Sequence, residues 1–273
     1  MRFSKWHGLG NDYLLIERAD LHRPLEPSTV TRLCDYHRGI GSDGILEVAS
    51  VDGATADVVI WNPDGSTAEL SGNGTRIAAR WLAARSGERE VRVRVGDREV
   101  AARMLGGLAV KTIVGTVVVE VPEQLALAAE TIEVTPVSVG NPHAVVRRDP
   151  ERSELLRLGP ILESHPRFPG RTNVQLVRVD GLHELTVGVW ERGVGETLAS
   201  GTSSCAAAAA SIARGWCASP VTVHLPGGDL RVEIDEAWEA TLTGPAQEIC
   251  RGIVSVELLD ELGLENRPGS RSH

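Results

Sequence analysis

Phenylalanine and tyrosine are scarce in this chain: two of each occur beside six tryptophans in 273 residues. That scarcity argues against a surface on which nucleic-acid bases stack. Positive charge is not in excess either. The formal net charge of −9 excludes a general nucleic-acid or anionic-membrane surface. No run of about 20 apolar residues occurs, so no membrane span is expected. The start, Met-Arg-Phe-Ser-Lys-Trp-His-Gly, lacks an apolar signal core, and a cytoplasmic protein is the expectation. The four cysteines, Cys34, Cys205, Cys217 and Cys250, form no Cys-x-x-Cys pair and no zinc spacing, so buried reduced thiols and no metal are expected. No Gly-x-Gly-x-x-Gly follows a strand and opens a helix, and nothing else signals a cofactor.

What is present is a repeat. Gly10-Asn11 and Gly140-Asn141 match, as do Gly41-Ser42-Asp43 and Arg171-Thr172-Asn173, Trp61 and Trp190, and Ser71-Gly72 and Ser200-Gly201. The matches stay in register over a long period, which indicates two related domains rather than a solenoid. The first half reads as strands within 3–17, broken at 7–12, and then a helix over 27–37 with Ser28 as N-cap. Strands follow over 39–48 and 57–61, then a helix from about Thr75 to Arg85 stopped by Gly87, and strands over 90–121 turning at Gly106-Gly107. The second half repeats the order, with strands over 132–146, a helix within 153–164, strands over 173–179 and 184–190, a helix from Ser200 to Gly215 and a hairpin over 221–234. The end, 265–273, reads as frayed.

The chemistry points to the two helix starts. Free backbone N–H groups and the positive dipole end make a helix N-terminus an anion site. Gly72, Asn73 and Gly74 on one side, and Gly201, Thr202 and Ser203 on the other, let a ligand approach the backbone closely. Either serine alone could be a simple helix cap. The matched pair points instead to a ligand cleft between domains, with Ser71 and Ser200 on opposite walls.

The segments Phe-Ser-Lys-Trp-His-Gly-Leu-Gly-Asn-Asp-Tyr (3–13), Trp-Asn-Pro-Asp-Gly-Ser (61–66), Ser-Gly-Asn-Gly-Thr-Arg (71–76), Gly-Asn-Pro-His (140–143), Arg-Thr-Asn-Val (171–174), Trp-Glu-Arg-Gly-Val-Gly-Glu-Thr (190–197) and Leu-Pro-Gly-Gly (225–228) occur in order. On them the chain, to about Leu258, resembles the diaminopimelate epimerase family. The resemblance implies an α/β fold of two duplicated, pseudo-twofold-related domains, each a β-barrel-like sheet around a central helix. The expected bounds are 1–122 and 123–245, with a last strand at about 246–258 returning to the first domain and a tail over 259–273.

The implied reaction is cofactor-independent inversion at the α-carbon of LL-diaminopimelate to give the meso form, one group removing the α-proton and another returning one. The family uses two cysteines, whose positions map to Ser71 and Ser200. A thiol near 8.5 is within reach of tuning by a helix N-terminus; an alcohol is not. Cys205, inside the second helix, reads as core. His143 and Glu191 match residues that support catalysis, Glu191 by holding the substrate ammonium and His143 by electrostatics or proton handling. Arg192 matches a clamp on the distal carboxylate. Asn11, Asn62, Asn141 and Asn173 match substrate contacts, and Gly72, Asn73, Gly201 and Thr202 match the backbone grip on the reacting carboxylate.

Three readings stay open: an epimerase with altered acid–base groups, a member that binds an amino acid without turnover, through divergence or deliberate exchange of cysteine for serine, and a racemase or isomerase of the same fold with another substrate. The partner is a small amino acid, with no nucleic acid or membrane. A homodimer would suit, and lysine and cell-wall precursor synthesis is the implied pathway.

Overall fold

A computed structural model describes residues 1–69 and 71–264. In chain order it begins with β1 (Arg2–Gly8), β2 (Asn11–Glu17), α1 (Pro27–Cys34), β3 (Ile45–Asp52), β4 (Thr55–Trp61), β5 (Thr67–Ala68), α2 (Gly72–Ser86), β6 (Glu90–Val95) and β7 (Arg98–Gly106). There follow β8 (Ala109–Thr116), β9 (Val118–Val119), β10 (Glu123–Ala126), β11 (Thr131–Ser138), β12 (Pro142–Arg147), α3 (Arg152–Glu163), β13 (Asn173–Gly181) and β14 (Glu184–Glu191). The remainder is β15 (Gly195–Thr197), α4 (Gly201–Ala213), β16 (Val221–Leu225), β17 (Gly228–Ile234), β18 (Glu239–Pro245), β19 (Gln247–Ile253) and α5 (Val256–Glu261). The fold is α/β.

Among the described residues the chain divides into two compact units, one of 1–104 with 246–264 and the other of 105–245. Pairing within them shows the duplication. In the first, β1 and β2 are antiparallel, β2 and β3 parallel, β3 and β4 antiparallel, β4 and β6 parallel, and β6 and β7 antiparallel. In the second, β11–β12, β12–β13, β13–β14, β14–β16 and β16–β17 repeat that alternation. A parallel pair needs a crossover, and α1 and α3 supply it in the two units.

In the second unit α4 packs against β11, β12, β13, β14, β16, β17 and β18. Ala206 to Ala210 are all fully buried there. A helix apolar on every side belongs inside, and alanine lets the strands close around it. In the first unit α2 buries Ile77, Ala78, Ala79 and Leu82 and packs on β1, β2, β4 and β6. Separate apolar clusters lie under the crossover helices: Leu14, Ile16, Val30, Leu33 and Ile45 in the first unit, and Leu155, Leu158, Leu162, Val174 and Leu176 in the second.

Several expected bounds shift. The break at 7–12 shrinks to Leu9 and Gly10, both at positive φ, between the paired Gly8 and Asn11. That is the backbone of a two-residue hairpin turn. Ser28 is not the N-cap of α1: Glu26 is, with Pro27 first in the helix, where a residue without an N–H is tolerated. The helix stops at Cys34 because the Asp35 carboxylate takes the N–H groups of His37 and Arg38. The first unit ends at 104, not 122, since β8 pairs with β18 along Ala109↔Pro245 and so belongs to the second. The strand placed at 246–258 ends at Ile253, after pairing with β1. Residues 256–261 form α5, capped by Ser255, where a tail from 259 was expected. The frayed end placed at 265–273 lies outside the described residues. Cys34, Cys205 and Cys217 are buried, but Cys250 is exposed on β19. No helix among the described residues is long and apolar enough to cross a membrane.

Candidate active site

Both helix starts form as the repeat requires, but they are built differently. Ser71 is the N-cap of α2, and its Oγ accepts the Gly74 N–H at 3.0 Å. The same oxygen lies 3.0 Å from the Tyr13 hydroxyl. Ser200 is the N-cap of α4 in the same extended backbone conformation, with no side-chain cap bond. Its carbonyl accepts both the N–H and the hydroxyl of Ser204. The first bond inside α4 therefore comes from Ser204, which leaves the N–H groups of Gly201, Thr202 and Ser203 without an acceptor in the helix. Helix capping thus accounts for the Ser71 side chain and leaves the Ser200 side chain unexplained.

In the first unit a chain of amides and charges runs from Arg76 to Lys5. The buried Arg76 guanidinium donates to the Gly72 carbonyl and to Asn73 Oδ1. Asn73 Nδ2 donates to Asn11 Oδ1 at 3.2 Å, and Asn11 Nδ2 donates to Asp43 at 3.0 Å. Asp43 also accepts the Asp12 N–H, while the Tyr36 hydroxyl reaches both Asp12 and Asp43. Lys5 closes the chain on Asp12 at 2.7 Å. This order fixes which end of each amide is donor and which is acceptor. The Asn62 Nδ2 turns back onto Ser66 inside the turn 62–66.

In the second unit His143 is fully buried, and both ring nitrogens are engaged. Gln175 Nε2 donates to Nδ1 at 3.1 Å, so Nε2 carries the proton and donates to Asn141 Oδ1 at 2.9 Å. Burial, reinforced by the Arg192 charge, pushes the imidazole down to about 3. His143 is therefore neutral near pH 7, and it orients Asn141 instead of offering a free ring nitrogen. Gln175 also donates to Ser203 Oγ at 3.0 Å, which ties this group to the first turn of α4. Asn173 commits both ends of its amide to backbone, Nδ2 to the Pro142 carbonyl and Oδ1 to the Arg192 N–H, each at 3.0 Å.

Glu191 ends β14, and Arg192 follows it in the turn. Burial pushes the Glu191 carboxyl above the usual carboxylate range. The exposed Arg192 guanidinium donates to the Gly170 carbonyl at 3.2 Å and pairs with no carboxylate among the described residues.

Sequence reasoning missed Tyr13, Asp43, Gln175 and Glu163. Trp190 donates to Glu163 at 2.7 Å, and Trp61 donates to the buried Glu47 at 2.9 Å. Position 13 did carry a signal: Asn11 matches Asn141, so Tyr13 matches His143.

Two duplicated α/β units, each with a helix starting at a serine or glycine turn, define a fold shared with known racemases and isomerases. A probable proline racemase from Agrobacterium radiobacter superposes with a TM-score of 0.68, at 16% identity over 96% of this chain and 94% of that one. A phenazine biosynthesis protein of the PhzF family from Bacillus anthracis gives 0.70 at 13% identity over 94% and 99%. At such identities the likeness is one of fold.

Sequence carries it further. The diaminopimelate epimerase profile matches residues 3–119 and 135–249. A diaminopimelate epimerase from Pelotomaculum thermopropionicum is 36% identical across 92% of this chain and 98% of its own length. One from Synechocystis is 38% identical across 92% and 98%. The chain belongs to the diaminopimelate epimerase family and is an isomerase of the epimerase and racemase type.

Proposed function

We propose that the protein interconverts LL- and meso-diaminopimelate by two-base transfer of the α-proton, without a cofactor, with Ser71 and Ser200 at the positions its relatives fill with cysteine. The observation that carries this reading is the matched pair of helix starts, each set beside polar side chains held in fixed orientation. Gly72, Asn73, Gly201 and Thr202 offer backbone N–H groups to the reacting carboxylate. Glu191 takes the ammonium, whose charge favours the ionised carboxylate that burial disfavours. Arg192 takes the distal carboxylate, and Asn11, Asn62, Asn141 and Asn173 line the polar cage. In this reading His143 positions Asn141 and stays neutral. The reaction requires Ser71 and Ser200 at opposite faces of one α-carbon. The setting is cytoplasmic synthesis of lysine and cell-wall precursors, by a homodimer.

The test is proton exchange, with LL-diaminopimelate in deuterated water and the α-hydrogen followed by NMR. Exchange with conversion to the meso form is the expected result. One observation favours a second reading, a member that binds without turnover: both oxygens are alcohols. Calorimetric binding with no exchange at any pH would establish that reading in place of the first.

A further inference from the structure

We propose that Tyr13 is the proton-holding partner of Ser71: its phenol oxygen takes up and returns the proton that the serine hydroxyl exchanges with an amino-acid α-carbon. The inference rests on the reading of Ser71 given above and adds a group that the family resemblance did not assign.

The geometry is direct. Tyr13 is buried on β2, with its hydroxyl 3.0 Å from Ser71 Oγ. The Gly74 N–H already fills one acceptor position on that oxygen. Ser71 therefore has one hydroxyl proton and one acceptor position left to divide between Tyr13 and a ligand. When Tyr13 donates, the Ser71 proton points to the ligand and the serine acts as acid. When Tyr13 is the phenolate, Ser71 donates to it and the serine oxygen accepts. The state of Tyr13 sets the direction of Ser71.

The chemistry requires such a partner. An alcohol cannot hold negative charge near neutrality, whereas a phenol ionises near 10. The step balances as follows. The Cα–H bond breaks and its electron pair stays on carbon. That proton forms a bond to Ser71 Oγ, and the original Ser71 hydroxyl proton passes to the Tyr13 phenolate. Both residues end neutral, and the reverse sequence delivers a proton.

The surroundings hold the ring in place. A Cβ at Gly44 would overlap the Trp61 carbonyl and come within 2.8 Å of the Tyr13 ring, so only glycine leaves the ring its seat. The titratable and charged groups on the elements packed against β2 are Arg2, Lys5 and His7 on β1, Glu47 and Asp52 on β3, and Arg76, Arg80 and Arg85 on α2, with Asp12 beside Tyr13 and Asp43 before β3. Lys5 pairs with Asp12 and Arg18 with Glu47; Arg76 binds Gly72 and Asn73, and Arg80 binds the Ala246 carbonyl. The duplication supplies a second argument. Tyr13 stands where His143 stands in the other half, two residues after the matched asparagine. His143 reaches α4 through Gln175 and Ser203, whereas Tyr13 reaches the cap of α2 itself.

The test uses the full chain and two readouts. In α-hydrogen exchange of diaminopimelate, the wild-type rate should climb with pH toward the phenol range. Tyr13→Phe should lose about 100-fold or more and lose that climb, within the usual span for general acid–base groups. Adding Ser71→Cys to Tyr13→Phe should restore exchange, since a thiolate holds its own charge.

The second readout is ultraviolet titration of tyrosinate, which needs no activity. The chain has two tyrosines. Burial and the Asp43 and Asp12 carboxylates push Tyr36 up, and a Tyr36→Phe background leaves the Tyr13 transition alone in the spectrum. Ser71→Ala should move that transition, and a transition unmoved by it would overturn the proposal. Wild-type rate and pH profile in Tyr13→Phe would overturn it while leaving the function intact. Exchange seen only after Ser71→Cys/Ser200→Cys would also overturn it and keep the site. No exchange and no binding in any variant would remove the functional reading and this inference together.

Discussion

Single residues here are read best through the partners they have already taken. Asn173 has both ends of its amide on backbone, which joins the Pro142 carbonyl to the Arg192 N–H. Arg192 lends its backbone to that bond and keeps an exposed guanidinium. Arg192→Glu should abolish calorimetric binding of diaminopimelate while leaving the unfolding midpoint within error, since surface changes usually cost under about 0.5 kcal/mol. Unchanged affinity would remove its role as a carboxylate clamp. His143 leads to a pH prediction. Its folded value, about 3, lies below the ordinary 6.5, so the native state binds fewer protons between them. The stability it contributes is complete above about 6.5 and is lost as pH falls toward about 3. Denaturant unfolding at a series of pH values should show that loss, and His143→Asn should flatten it. Its neutrality was not legible in the sequence, because burial and the Gln175 contact come from strands distant in the chain.

At the scale of the element, the two helices that start at Ser71 and Ser200 differ in what their caps do. Ser71→Ala removes a cap bond and should lower stability by about 1 kcal/mol. Ser200→Ala removes none and should cost less than half of that, read by thermal unfolding of the two variants side by side. Equal costs would mean that Ser200 also caps. The contact between α3 and β14 gives a packing prediction. A Cβ on Gly159 would stand 2.6 Å from the Trp190 ring, whose indole is fixed by Glu163. Gly159→Ala should therefore destabilise by about 1–3 kcal/mol, as overpacking does, and circular-dichroism melting will show whether it does. The start of α4 and the stop of α2 were readable, because serine and glycine choose a local backbone conformation. Gly87 ends α2 at φ 78° as its position foretold. The end of α1 was not, because Asp35 folds back on its own turn where the apolar pattern continued.

For the whole molecule, the proposed two-base inversion makes a demand that one half cannot meet. Ser71→Cys or Ser200→Cys alone should raise exchange less than the two together, measured by the NMR assay. A single replacement matching the pair would mean that one half handles both protons. The duplication itself was written in the sequence, since repeated Gly-Asn turns and serine helix starts are local signals that survive in register. So was the family. The tertiary structure decided what local pattern cannot. The alternation over 90–121 fits any sheet, and only pairing with β18 assigns β8 to the second unit. Likewise, Tyr13 and Ser71 lie on a strand and a helix far apart in the chain, and only the packing of α2 on β2 brings their hydroxyls together. Sequence fixes backbone preference residue by residue. Partnership between distant groups is settled by how the strands close around each helix.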